Sequence, residues 1–153
     1  MDWLKLIVAI VGLLGMAGLI VWMLRRTAVR WSVLSGWPTV MVSGVGDEDL
    51  RRVEAAYTTA VRALTAVWPA AAEWAGETRL VVHPEPGWCP AEGRCLSGLT
   101  WVDLGLIEVG SDLAALAHEL AHLLQWRIDR RTDPEHLNWE ALGINAAVGA
   151  YRL

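Results

Sequence analysis

The residues best equipped for chemistry lie between positions 118 and 122. They read His118-Glu119-Leu120-Ala121-His122, an H-E-x-x-H. An α-helix turns once in 3.6 residues, so on a helix the two histidines stand one turn apart on one face. Their imidazoles can then hold one Zn2+ ion at about 2.0–2.1 Å each. Glu119 projects beside them, placed to take a proton from water that the ion has acidified rather than to bind the ion itself. The plainer reading is two half-buried histidines. At ordinary residue frequencies, however, the motif arises by chance in roughly one chain in a few hundred of this length. The chain has four histidines, two of them are here, and the other positions from Ala115 to Leu124 carry no charge. That suits a ligand helix buried under a sheet. Residues 111–128 are almost all good helix formers, and the pattern predicts a helix over that span. Ser111 would be its N-cap, with Asp112 adding negative charge in the first turn.

A catalytic zinc usually takes three protein ligands and keeps one position open. The chain must turn back to supply the third. Asp133-Pro134 reads as the start of a new helix, with Asp as N-cap and Pro as the first helical residue. His136 then falls in the first turn, and Glu140 follows one turn later on the same face. Both are candidates; imidazole is the commoner zinc ligand, which favours His136 over Glu140. The residue not used could orient a ligand by hydrogen bond, and so could Asp133. Leu137, Ala141, Ile144 and Val148 would be the packing face of this last helix. His83 closes a strand before Pro84 and reads as structural. Tyr151 reads as packing, with oxyanion support a remote second role.

Residues 118–122 and their surroundings resemble the active-site helix of the zincin metallopeptidases. The specific match covers about ten residues. The resemblance implies a zinc-dependent hydrolase of peptide bonds, with His118, His122 and His136 as ligands and Glu119 as general base. It also implies a twisted sheet over the motif helix, with an edge strand, 99–102 or 106–109, holding an extended peptide. The metzincin branch, with a third His six residues past the second, does not fit, because Ile128 stands there and Gln125 replaces the glycine. The gluzincin branch takes its third ligand from a Glu on the following helix, a place Glu140 would suit. The alternative is a non-catalytic zinc-binding module of the same fold, acting as a membrane-tethered interaction or regulatory domain.

The chain has 153 residues, enough for one domain, with 54% hydrophobic residues, ten Trp and no Phe. From Trp31 onward there are nine Arg, no Lys and sixteen Asp plus Glu, a net charge of −7. A nucleic-acid partner would want a basic face, so none is expected. Cys89 and Cys95 are separated by five residues that include Pro90 and Gly93, which suits a small disulfide loop.

These groups need elements to position them. Thr39–Ser43 reads as a strand. Leu50, Val53, Tyr57, Ala60, Val61, Leu64 and Trp68 recur at helical spacing until Pro69 stops the helix. Residues 70–77 read as a loop or short helical turn, and residues 78–83 as a second strand. Residues 99–102 and 106–109 read as a hairpin. The expected fold class is α+β: an N-terminal transmembrane helix, then a small zincin-like domain. That domain would be a twisted sheet of three or four strands, packed on a scaffold helix, the motif helix and a C-terminal helix. The transmembrane helix follows from residues 6–24, nineteen positions without a charge. The expected organisation is an anchor at 1–25, a juxtamembrane connector at 26–37 and the domain at 38–153. In the connector, Trp31, Val33, Leu34 and Trp37 would meet the bilayer interface. Arg25, Arg26 and Arg30 place the domain on the cytoplasmic side, whereas a disulfide would place it on the other.

Overall fold

A computed structural model of the chain describes residue 3 and residues 15–18, 29–91 and 94–151. The chain divides into two units, residues 1–30 and 31–153. The second is an α+β domain with a mixed five-stranded sheet in the order β1-β2-β3-β7-β6.

The strands are β1 (Ser32–Leu34), β2 (Trp37–Ser43), β3 (Arg79–Val82), β6 (Gly98–Trp101) and β7 (Leu106–Val109). Between β3 and β6 lies a separate two-stranded hairpin, β4 (Trp88–Ala91) with β5 (Arg94–Leu96). A disulfide joins Cys89 to Cys95 across it, as the spacing suggests. Strand β2 runs parallel to β3, and β3 parallel to β7, while β1 and β6 run antiparallel to their neighbours. Parallel neighbours need a crossover, and α1 (Leu50–Val67) supplies it between β2 and β3.

Period-two alternation shows which face of the sheet is covered. Val40, Val42, Leu80, Val82, Ile107 and Val109 are buried, while the intervening Met41, Arg79, Val81, Leu106 and Glu108 are more open. The covered face packs on α1 and on α3 (Leu116–Asp129). Helix α1 buries Val53, Ala56, Tyr57, Ala60, Val61 and Leu64, one stripe at helical spacing. Trp68 leaves helical geometry at φ −139°, just before Pro69. Ala71–Trp74 form a one-turn helix, α2, and Ile144–Ala150 form α4.

Several expectations are corrected. No helix among the described residues is long and apolar enough to cross a membrane. Of residues 6–24 only 15–18 are described, and they are helical. The rest of that stretch lies outside the described residues. The N-terminal transmembrane helix, and with it the membrane localisation, is therefore not supported. Nor is residues 32–37 a connector: they form β1 and open β2. Leu34 is buried in the core, and Trp37 packs edge-on against Tyr57 while its Nε1–H donates to Thr58 Oγ1 at 3.0 Å. These side chains are used inside the domain. The sheet has five strands rather than three or four, because β1 folds back on β2.

The motif helix begins at Leu116, not at Ser111. The Ser111 N–H donates to Glu85 O, which ties it to the preceding loop. Asp112 accepts from Ala114 N in a local turn, and Leu113 takes φ +59° to bury its side chain. The Asp133-Pro134 helix is likewise a run of turns, and regular helix returns only at Ile144. Leu137 and Ala141, expected to pack, are exposed, and Trp139 is buried in their place.

Candidate metal centre

Helix α3 places His118 and His122 on one face, as their spacing requires. Their Nε2 atoms lie 3.2 Å apart. The turn after α3 brings His136 to them, with its Nε2 3.1 Å from that of His122. The three histidines form a group that could hold a metal ion, with one nitrogen from each lying within 4.8 Å of the others. Donors about 2.0–2.1 Å from a common tetrahedral ion stand roughly 3.3 Å apart, so the observed spacing fits such an ion. Three lone pairs this close repel one another unless a cation or a proton sits among them. Glu140, the alternative third ligand, is exposed and outside the group.

The electrostatics suit ligands. Burial, and then the neighbouring His136, lowers the pKa of His118. Burial, followed by His118 and His136, lowers that of His122 to about 4. Both imidazoles are thus neutral at pH 7, with a free nitrogen lone pair, the form a metal takes. The same shift makes a prediction for the metal-free chain. A group with folded pKa about 4, against an ordinary 6.5, binds protons in the unfolded state first. Its stabilising contribution is complete above pH 6.5 and is lost as pH falls toward 4. Calorimetry of the metal-free chain should show Tm falling across that window, and falling less steeply in His122→Ala. Glu119 works weakly in the opposite sense, because its pKa is raised.

Glu119 is buried beside the histidines. Burial raises its pKa, and a hydrogen bond from Thr100 partly offsets this. The Thr100 hydroxyl lies 2.7 Å from Oε2 of the carboxylate and 2.9 Å from the Glu119 carbonyl oxygen. Thr100 belongs to β6, the edge strand of the sheet. Strand and helix meet closely there, because a Cβ added to Gly98 would stand 2.5 Å from Glu119 Cγ and 2.8 Å from Ala115 Cβ. Glycine at 98 is what lets the edge strand lie against the base. The three histidines and Glu119 line a cleft of about 390 Å3, with Gly98 and Thr100 on one side and residues 132–136 on the other.

His136 sits in left-handed geometry at φ +58°, a conformation that costs a non-glycine residue about 1–3 kcal/mol and persists only where its surroundings impose it. The surroundings are identifiable. The Asp133 carboxylate accepts from Leu137 N at 2.9 Å and Asn138 N at 2.8 Å. The backbone N–H of Asn138, then that of Leu137, and then the side-chain amides of Asn138 and Gln125 hold this carboxyl below its ordinary pKa. Asp133 does cap N–H groups as expected, but those of a turn.

Two residues of this centre have no counterpart in the sequence reading. Thr100 was one position in a strand. Trp139 is buried and packs against all three imidazoles, its ring centroid 5.0, 4.7 and 4.2 Å from His118, His122 and His136. A tryptophan three residues past His136 is the only local signal, and it is weak. The other expected residues are structural. His83 pairs with Glu108 at 2.8 Å and stacks on Trp88, outside the histidine group. The Tyr151 hydroxyl donates to Leu113 O at 3.2 Å.

No protein-family model, curated protein or solved structure matches the chain. What the fold and site define is a class: an α+β domain whose helix α3 and following turn carry a three-histidine group that could hold a metal ion.

Proposed function

We propose that this protein is a zinc-dependent peptidase. One observation carries the reading: a buried carboxylate, Glu119, stands beside three converging imidazoles in a cleft bordered by the free edge of a sheet. A purely structural zinc site has no use for that carboxylate, and such sites are usually closed by a fourth protein ligand.

His118, His122 and His136 would hold the ion. Three imidazoles favour Zn2+ over the hard cations Ca2+ and Mg2+, which prefer oxygen. When bound, the ion supplies Lewis acidity, polarising a carbonyl and making water acidic enough to lose a proton near neutral pH. The chain's own part is proton transfer and positioning. Among the described residues only Thr100 hydrogen-bonds the Glu119 carboxylate, at Oε2, which leaves Oε1 to accept the proton from the attacking water. Oε1 then returns that proton to the leaving amine. The raised pKa of Glu119 brings it closer to neutral pH, where a general base works best. Among the described residues β6 pairs only with β7, so its other edge has backbone N–H and C=O groups open to an extended peptide.

The test is metal content and activity on the full chain. About one zinc per chain is expected by elemental analysis. A mixed peptide library should be cleaved, a zinc chelator should stop the cleavage, and added Zn2+ should restore it. A folded chain that binds zinc and cleaves nothing in the library would point to the non-catalytic module. A chain that takes up no zinc would reject both.

A further inference from the structure

No regular helix holds His136, so its position must come from side chains. The turn that carries it, residues 133–139, is tied to helix α3 at its far end by one residue. Gln125 is buried on α3, three positions past His122. Its Oε1 accepts the indole N–H of Trp139 at 2.9 Å. Asp133 organises the first half of the turn, through the N–H groups of Leu137 and Asn138 and through its own carbonyl, which accepts from His136 N at 3.1 Å. Trp139 closes the second half: its N–H donates to His136 O at 3.2 Å, and its ring lies under the three imidazoles. Gln125 thus fixes the residue that packs against all three imidazoles and closes the turn behind His136.

We infer that Gln125 is a positioning residue, a single buried amide by which the helix carrying two ligands sets the place of the third. The inference rests on the metal-binding reading of the histidine group. Its consequence is a site assembled before metal arrives. A buried glutamine that only fills space in the core would stabilise the whole domain without a particular link to His136, and the two roles separate experimentally.

The variants are Gln125→Met, which keeps the volume and loses the hydrogen bond, and Trp139→Phe, which keeps an aromatic ring and loses the same bond from the other side. The second serves if the first does not fold. Zn2+ affinity of the full chain is measured by competition with a chromophoric chelator. Loss of a group that orients a ligand weakens metal binding roughly 10–100-fold, and that range is expected for both variants. In a His136→Ala background neither change should weaken Zn2+ binding further, because the ligand they position is gone. An equal loss in both backgrounds, or no loss in the wild-type background, would overturn the assignment. A metal-free readout runs beside it. The Leu137 and Asn138 amides should exchange with solvent about tenfold faster in either variant, while those of Leu120 and Leu123 keep their rates. Unchanged exchange at 137 and 138 would also overturn it. If the wild-type chain takes up no Zn2+, the metal reading fails, and the exchange rates alone decide whether Gln125 places the turn.

Discussion

Glu119→Gln is expected to abolish peptide hydrolysis and leave zinc bound. Glutamine has almost the shape of glutamate and can still accept the hydrogen bond from Thr100 through its carbonyl oxygen. It has no carboxylate to take a proton. General-base catalysis contributes roughly 10²–10⁴-fold, so a loss of at least that order in kcat is expected. The three imidazoles do not depend on Glu119, and zinc content should match the wild type. Burial raises the Glu119 pKa, which means the charged form is the disfavoured one. Removing the charge should therefore leave the fold no less stable, and Tm should hold or rise. Retained cleavage in Glu119→Gln would reject Glu119 as the base. Lost cleavage together with lost zinc would show only that the site had been disturbed.

The second large effect separates the two candidates for third ligand. His136→Ala should weaken Zn2+ binding by more than the roughly 10–100-fold that removal of an orienting group costs, because it removes a donor outright. Glu140→Ala should change affinity little, since Glu140 is exposed and stands outside the histidine group. His122→Ala is the benchmark for losing a ligand. The measurement is the same chelator competition, with elemental analysis after dialysis. The opposite pattern, zinc kept in His136→Ala and lost in Glu140→Ala, would require the 133–143 turns to rearrange when metal binds. Retention in both would leave a two-histidine site, and the peptidase reading would lose its third protein ligand.

Much of the local framework is legible in the residues themselves. The apolar stripe from Val53 to Leu64 marks α1, and Pro69 marks its end. Val40 and Val42, Leu80 and Val82, Ile107 and Val109 alternate as half-covered strands do. The H-E-x-x-H puts two imidazoles and a carboxylate in known relation, because the pitch of a helix is the same in any protein. The cysteine spacing anticipated the disulfide. Each of these depends on neighbours a few positions away, so the sequence alone carries it.

Other features depended on partners far along the chain, and only the tertiary structure decided them. Which hairpin strand is the edge follows from the parallel pairing of β3 with β7, which leaves β6 outside. Thr100 reaches Glu119 because β6 crosses the helix there, nineteen residues away in sequence. Residues 111–115 have good helical propensity, yet Ser111 is held by Glu85 and Leu113 is drawn into the core, so helix starts five residues late. His136 rather than Glu140 joins the histidines because a left-handed turn, held by Asp133 and closed by Trp139, aims it at them. Helical spacing would have served either residue; the choice between them was made by long-range hydrogen bonds and packing.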